Sequence, residues 1–448
     1  SLASAFNRQS LQDYARGPLA LVSSLVLLLV IRAYGESGQW GPVQVLALSL
    51  GMTGSMFLTA GFVTAISRRG SICLGFGDVI AARKFVAGLL AVSAGLVGVV
   101  AVAVMALAVG RGAVTDSERL TFVLALVGFS AIWLAAAGLS LLSASAWATL
   151  GLVTGFLVLV VVDFATRSWM TFHLELAAVF ALGTAIGITL YGLYLGYGER
   201  MRTQTGRGLL PSIPYLVDEA APYFAYGSLY MLLLVVAHGI GWVGRLAPGA
   251  EWLRSIISLE AGLTLSLVPV ILAGGLNERA LRLFWEQAKV THQTTPATAP
   301  ARFGAALISF QRRQLRAYLV TMVALSALTY LAFRWARDTG LLERTLSFGV
   351  DGTMELFFVG GLVLYCLLGW GQFNNSVCLS LNRPGVATRA AAYGMAAMLV
   401  TGLPVSLLIG FEYSLIGMLA GSAVFALVTH RASAETLQRA DYHYIWLF

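Results

Sequence analysis

Residues 85–108 read FVAGLLAVSAGLVGVVAVAVMALA, a run of 24 residues without one charge, entered directly from Arg83 and Lys84. A bilayer hydrocarbon core about 30 Å thick needs ~20 mostly apolar residues per helix, and lipid leaves no partner for unpaired backbone. The run therefore reads as a membrane-crossing helix. Working outward from it, the same reading gives twelve spans, approximately 12–32, 43–67, 85–108, 120–142, 146–164, 174–197, 222–246, 256–276, 318–333, 354–381, 390–409 and 413–430. The first has no small-residue cleavage site and reads as a signal anchor.

The composition agrees. Of 448 residues, 58% are hydrophobic and 11% charged, and the mean hydropathy is +0.80; soluble domains carry roughly 25% charged residues. A water-soluble globule, a disordered chain, a nucleic-acid binder and a secreted disulfide scaffold are excluded. The net charge of +8 is what basic cytoplasmic loops give a membrane protein. Cys73, Cys366 and Cys378 are odd in number and lie in or near apolar stretches, which favours buried thiols over disulfides.

Orientation follows from the basic residues. One side receives Arg8 and Arg16, then Arg68, Arg69, Arg83 and Lys84 after span two, and Arg200, Arg202 and Arg207 after span six. It also receives Arg279, Arg282, Lys289, Arg302, Arg312, Arg313 and Arg316 after span eight, and finally Arg383, Arg389, Arg431 and Arg439, which makes 20 of the 29 Lys and Arg. Positive residues stay in the cytoplasm, so both termini are expected there.

The expected architecture is all-α and integral to the membrane. Spans one to six form an N-terminal lobe (1–197), a cytoplasmic linker covers 198–221, and spans seven to twelve form a C-terminal lobe (222–448). Six is even, so the halves enter the membrane in one direction and a pseudo-two-fold along the membrane normal relates them. In each half the fourth and fifth spans are joined by a tight turn. Within the C-terminal lobe, segment 277–317 is basic and cytoplasmic. Its Leu281, Phe284, Trp285 and Ala288 fall at i, i+3, i+4 and i+7, with charges opposite, the pattern of an amphipathic helix lying in the headgroup layer. Docking of a cytoplasmic partner on it is the alternative.

Ionisable groups at membrane depth cost ~2.5–3.5 kcal/mol on insertion scales and mark candidate sites. Tyr223, Tyr226, Tyr230 and His238 recur along one face of span seven, and Glu260 enters span eight from its outer end. At ~1.5 Å rise per residue, His238 lies ~6 Å and Glu260 ~9 Å outward of mid-span, so the two meet across a hairpin. Either they form a structural interhelix bond, or they belong to a polar wall for a hydrophilic solute. The stretch GWGQFNNSVCLSLN (369–382) gives a second patch of Trp370, Gln372, Asn374, Asn375 and Ser376, in which Gln372, Asn375 and Ser376 share a face; the alternatives are packing against a neighbouring helix and lining a solute path. Asp163, Glu175, Glu355 and Glu412 stand at outer span ends, and Asp163 and Glu175 are candidates for an acidic outer mouth.

No phosphate-binding Walker loop is present, no His, Cys or acidic residues have metal-ligand spacing, and the outward loops are too short to house glycosyl-transfer chemistry. No catalytic residue, metal or cofactor is expected. His173 beside Glu175 is better explained by capping or solvation than by acid–base chemistry.

A major-facilitator carrier would place its long loop between the halves and an Asp-Arg signature after span two. Here the longest loop follows span eight, and residues 67–85 read SRRGSICLGFGDVIAARKF. The chain instead resembles the multidrug/oligosaccharidyl-lipid/polysaccharide (MOP) flippase superfamily, through GFVTAISRRG (61–70) leading into FGDVIAARKFVAGLL (76–90). Within it, the chain is most similar to the PelG family of Pel-type exopolysaccharide exporters. Gly17-Pro18, PYFAYGSLYMLLLVV (222–236), the basic run before span nine and DYHYIWLF (441–448) carry that likeness.

The resemblance implies an exporter or flippase of the bacterial inner membrane. It would move an exopolysaccharide, as in biofilm formation, or a lipid-linked saccharide from cytoplasm to periplasm by alternating access. A cytoplasmic glycosyltransferase and inner-membrane synthase subunits are the implied partners. By position, Arg16 and Arg68 are carried over as the cytoplasmic rim of the path. A cation-coupled multidrug antiporter of the same superfamily is the first alternative; such carriers often place an acid within the first span, and residues 17–31 contain none. The second is a non-transporting scaffold of a polysaccharide synthase.

Overall fold

The computed structural model describes residues 42–75, 78–109, 116–142, 144, 146–166, 173–201, 213–243, 250–295, 300–342 and 351–440. The expected first span 12–32, and Arg16 within it, lie outside the described residues. Twelve α-helices follow: α1 (Pro42–Gly75), α2 (Val79–Val109), α3 (Asp116–Leu141), α4 (Ala146–Thr166), α5 (His173–Met201), α6 (Ile213–Val243), α7 (Ala250–Ser266), α8 (Val268–Thr294), α9 (Pro300–Asp338), α10 (Gly352–Ser380), α11 (Pro384–Leu408) and α12 (Ser414–Gln438). Among the described residues, with α7 and α8 taken as one broken span, 11 are long and apolar enough to cross a membrane. They match the second to twelfth expected spans in order.

The helices group into two compact units, and the division falls inside α6, between Met231 and Leu232. In the N-terminal unit α1 packs chiefly on α3, and α4 on α5. Because lipid tails are as apolar as leucine, such contacts depend on close backbone approach rather than on escape from water. Gly151 of α4 shows this: a Cβ there would stand 2.6 Å from the Ala185 carbonyl oxygen of α5.

In the C-terminal unit α10 is central, packed against α7 and α12 and touched by α8, α9 and α11. The α11–α12 pair is drawn together where Gly417 meets Gly402; a Cβ on Gly417 would fall 2.1 Å from the Gly402 Cα. The tight turns expected in each half are present. After α3 the chain turns through Leu142 and Ala144, whose amides bond the Leu139 carbonyl. After α10 it turns at Asn382, which takes φ 54°, a conformation asparagine tolerates better than most residues.

Two boundaries differ from expectation. Span seven was expected to open at Pro222 after a linker over 198–221. Instead α5 continues to Met201 and α6 begins at Ile213 with Pro222 inside it. Pro214 next to its start costs nothing, because the first turn has no intrahelical use for that N–H. Conversely, span eight is broken at Leu267, between α7 and α8, where Pro269 occupies the first turn of the second piece.

Segment 277–317 departs further. It is not a separate helix lying on lipid. Residues up to Thr294 extend α8, and those from Pro300 open the 39-residue α9. The apolar stripe turns inward: Phe284 and Ala288 form one core with Phe303, Leu307, Val377, Leu381, Leu437 and Ala440, and Trp285 packs against it. The amphipathicity was legible; its partner is protein rather than the headgroup layer.

Candidate functional site

His238 and Trp242 are i, i+4 neighbours on α6, so they present side chains to one strip of surface. Opposite them α7 brings Glu260. His238 Nδ1 lies 2.9 Å from both Glu260 carboxylate oxygens, and the Trp242 indole N–H donates to Glu260 Oε1 at 2.8 Å. The pair is half-buried, the side chains of His238 and Glu260 being 22% and 34% exposed. The depth arithmetic thus brings His238 and Glu260 together correctly. Trp242 was missed, although its i+4 spacing from His238 was visible.

The second patch is organised differently. On α10, Asn374 Oδ1 accepts from Gln311 Nε2 of α9 at 2.9 Å and from Ser433 Oγ of α12 at 3.1 Å. Gln311 Nε2 also reaches Ser433 Oγ at 3.2 Å, and Asn277 Nδ2 of α8 donates to Ser376 Oγ at 3.3 Å. Asn375 and Ser376 are buried, Asn375 at 0% exposure and Ser376 at 1%, while Gln372 is half-buried. Asn375 and Ser376 are therefore inside the C-terminal unit, and Ser376 joins helices, as in the packing alternative. Beside them α8, α9 and α10 leave a cleft lined by Asn277, Gln311, Gln314, Phe310, Phe373 and Ser376, with room for about one water molecule.

Sequence reasoning missed Gln311, Asn277 and Ser433 because all three lay outside the expected spans. Gln311 had a signal: Leu307, Gln311, Leu315, Tyr318 and Met322 are one buried stripe of α9, at steps of four, four, three and four residues.

The tyrosines of α6 are in the N-terminal unit. Tyr223 and Tyr226 are buried, and Tyr230 stacks on Tyr226 with ring centroids 5.9 Å apart. This half of α6 is tied to α1: Phe224 meets Phe62 edge-on at 4.9 Å, and Glu219 pairs with Arg69 at 2.7 Å. Arg68, carried over as a rim residue, is half-exposed on α1.

The acidic mouth takes a correction. Asp163 is 1% exposed, because it continues the buried stripe of Ala148, Gly151, Gly155 and Leu159 along α4. The side chain of Glu175 lies outside the described residues. Glu355 is engaged by Arg337 and, at 3.9 Å, by Arg334, and Glu412 accepts from Thr353 at 3.4 Å. Among the described residues no three His, Cys, Asp or Glu side chains converge on a possible metal position, and the three thiols are unpaired with one another.

No protein-family model matches the chain, and no curated protein matches it. Solved structures do. A MOP-superfamily transporter from Pyrococcus furiosus superposes with a TM-score of 0.68 at 16% identity, over 96% of this chain and 95% of its own. A Vibrio cholerae MATE transporter carrying an Asp-to-Asn substitution gives 0.70 at 15% identity, over 97% and 98%. An outward-facing multidrug resistance MATE family transporter gives 0.68 at 15% identity, over 98% of both chains. At these identities the likeness concerns architecture: the chain has the helical fold of MATE transporters of the MOP superfamily.

Proposed function

We propose that this chain is a membrane transporter working by alternating access, and that its cargo is an exopolysaccharide or lipid-linked saccharide carried out of the cytoplasm. The observation that carries the transporter reading is the fold, shared with MOP-superfamily transporters over 95–98% of both chains. Two further features support a saccharide. The first expected span has no acid between residues 17 and 31, and the half-buried groups singled out from sequence include the amide Gln372 and the phenol Tyr230. A sliding sugar chain needs many replaceable hydrogen bonds and flat apolar faces.

The basic side faces the cytoplasm in this reading, by the positive-inside rule, and the membrane is the bacterial inner membrane. A cytoplasmic glycosyltransferase and membrane synthase subunits supply the polymer, and the MOP-type pseudo-two-fold relates two six-span lobes. Multidrug antiport is the second reading, favoured by the neighbour described as a multidrug resistance transporter.

The test is deletion of the gene followed by complementation with wild type or with His238→Leu/Gln372→Leu. Loss of secreted polymer in the deletion and the double variant, with unchanged drug tolerance, is the expected result. Drug sensitivity with normal polymer secretion establishes the second reading and removes the first.

A further inference from the structure

We propose that Arg312, Arg313 and Arg316 of α9 form a binding site for the phosphate of an anionic phospholipid, in the leaflet on the basic side of the membrane.

The placement comes from the helix itself. Toward its C-terminus the outer face of α9 is bare and apolar: Val320, Val323, Leu328 and Leu331 are all more than 60% exposed, and Trp335 closes the series at 63%. So continuous an apolar exposure along a membrane-crossing helix fits a lipid-facing side. From Trp335 back to Arg316 is about 29 Å of helix, one hydrocarbon thickness, so an aromatic marks one interface and Arg316 the other. Arg312 and Arg313 follow on the next turn and are exposed. Spacings of three and four residues join the three guanidiniums in one patch. Side chains on a helix lean toward its N-terminus, which for α9 is the basic side, so these arms reach into the phosphate layer and away from the hydrocarbon.

Their charge is uncompensated. At the far end of the same helix Arg334 and Arg337 both pair with Glu355 of α10, and Arg337 also with Asp338. Among the described residues Arg312, Arg313 and Arg316 meet no carboxylate, and the adjoining inner face offers only the neutral amide Gln311 and Leu315. The backbone beneath is held by the Gln311–Asn374 and Gln311–Ser433 bonds, so the patch is preorganised. Planar guanidiniums bind phosphate bidentately.

The occupant is set by continuity. The arginines run without interruption into Val320 and Val323, so a ligand that fills the surface has a phosphate above and an acyl chain alongside. A soluble anion or an acidic protein uses only the upper part.

The test uses the full chain purified in detergent with equal phosphatidylglycerol and phosphatidylcholine, and native mass spectrometry to count retained lipid. Wild type is expected to retain phosphatidylglycerol preferentially. Arg312→Gln/Arg313→Gln/Arg316→Gln should lower that preference by roughly a hundredfold, about fivefold per arginine. Arg302→Gln, exposed on the same helix but about 15 Å beyond Arg312, should leave it unchanged. Equal retention by the triple variant and wild type overturns the proposal, as does full displacement of the lipid by inorganic phosphate, which would mean that the site reads the anion alone. If the triple variant does not fold, wild type decides: retention that falls as ionic strength rises from about 0.05 to about 0.5 M supports the site, and salt-independent retention refutes it.

Discussion

The amide cluster of α9, α10 and α12 yields a prediction whose size can be worked out. Asn374→Leu removes the acceptor used by Gln311 Nε2 at 2.9 Å and Ser433 Oγ at 3.1 Å. Interhelical hydrogen bonds in membrane proteins average about 0.6 kcal/mol, so two account for about 1.2 kcal/mol. The buried Gln311 amide then lacks its main partner, a penalty of about 1–3 kcal/mol. Its bond to Ser433 Oγ survives and holds that penalty to the low end. The variant should lose about 2 kcal/mol, and Gln311→Leu a similar amount by the same reasoning.

Together they should cost less than the sum, because the double variant leaves neither amide orphaned against the other. A coupling of about 1 kcal/mol is expected in a double-mutant cycle, read from equilibrium unfolding in mixed micelles by far-ultraviolet circular dichroism. Additivity within about 0.3 kcal/mol, the level seen for independent sites, would refute the claim that these side chains bond one another.

Other consequences are simpler. Gly417→Val places carbon where the Gly402 backbone stands and should destabilise the protein by about 1–3 kcal/mol through forced separation of α11 and α12, seen as a lower unfolding midpoint. Phe284→Ala opens the core shared by α8, α9, α10 and α12; a cost of about 3–5 kcal/mol should appear as rapid proteolysis of the α8–α9 connection. Glu219→Gln breaks a half-exposed ion pair with Arg69, which is worth at most about 1 kcal/mol, so its unfolding midpoint should match wild type closely. Glu260→Ala strips the acceptor from both His238 and Trp242 at about 1–3 kcal/mol, and Glu260→Gln should recover part of it by continuing to accept from the indole.

Span positions were legible because length and apolarity are demanded by the bilayer alone, residue by residue. The His238–Glu260 contact was legible because a hairpin fixes depth on both arms. What was hidden is which face of each rod meets protein. In lipid, Met322 and Val323 offer the same chemistry, yet Met322 is 0% exposed and Val323 63%; only packing shape separates them.

The patch on α10 was legible as a cluster, but its working face was not. One residue along a helix turns the side chain by about 100°, so Asn374, named in the patch but off the face shared by Gln372, Asn375 and Ser376, is the one that makes the bonds to α9 and α12. Asp163 was read from its nearness to a helix end, although it follows Gly151, Gly155 and Leu159 at four-residue steps on the buried face of α4.

Taken as a rod, α9 is 39 residues long, about 58 Å, near twice the thickness of the oily layer it crosses. Its wet portion is clamped along Phe303 and Leu307 to α8, α10 and α12, and at Gly304 the backbone of α12 approaches within van der Waals distance of where a methyl would go. Within the C-terminal unit this end of α9 therefore cannot shift without carrying α8, α10 and α12 with it, because their side chains fill one core.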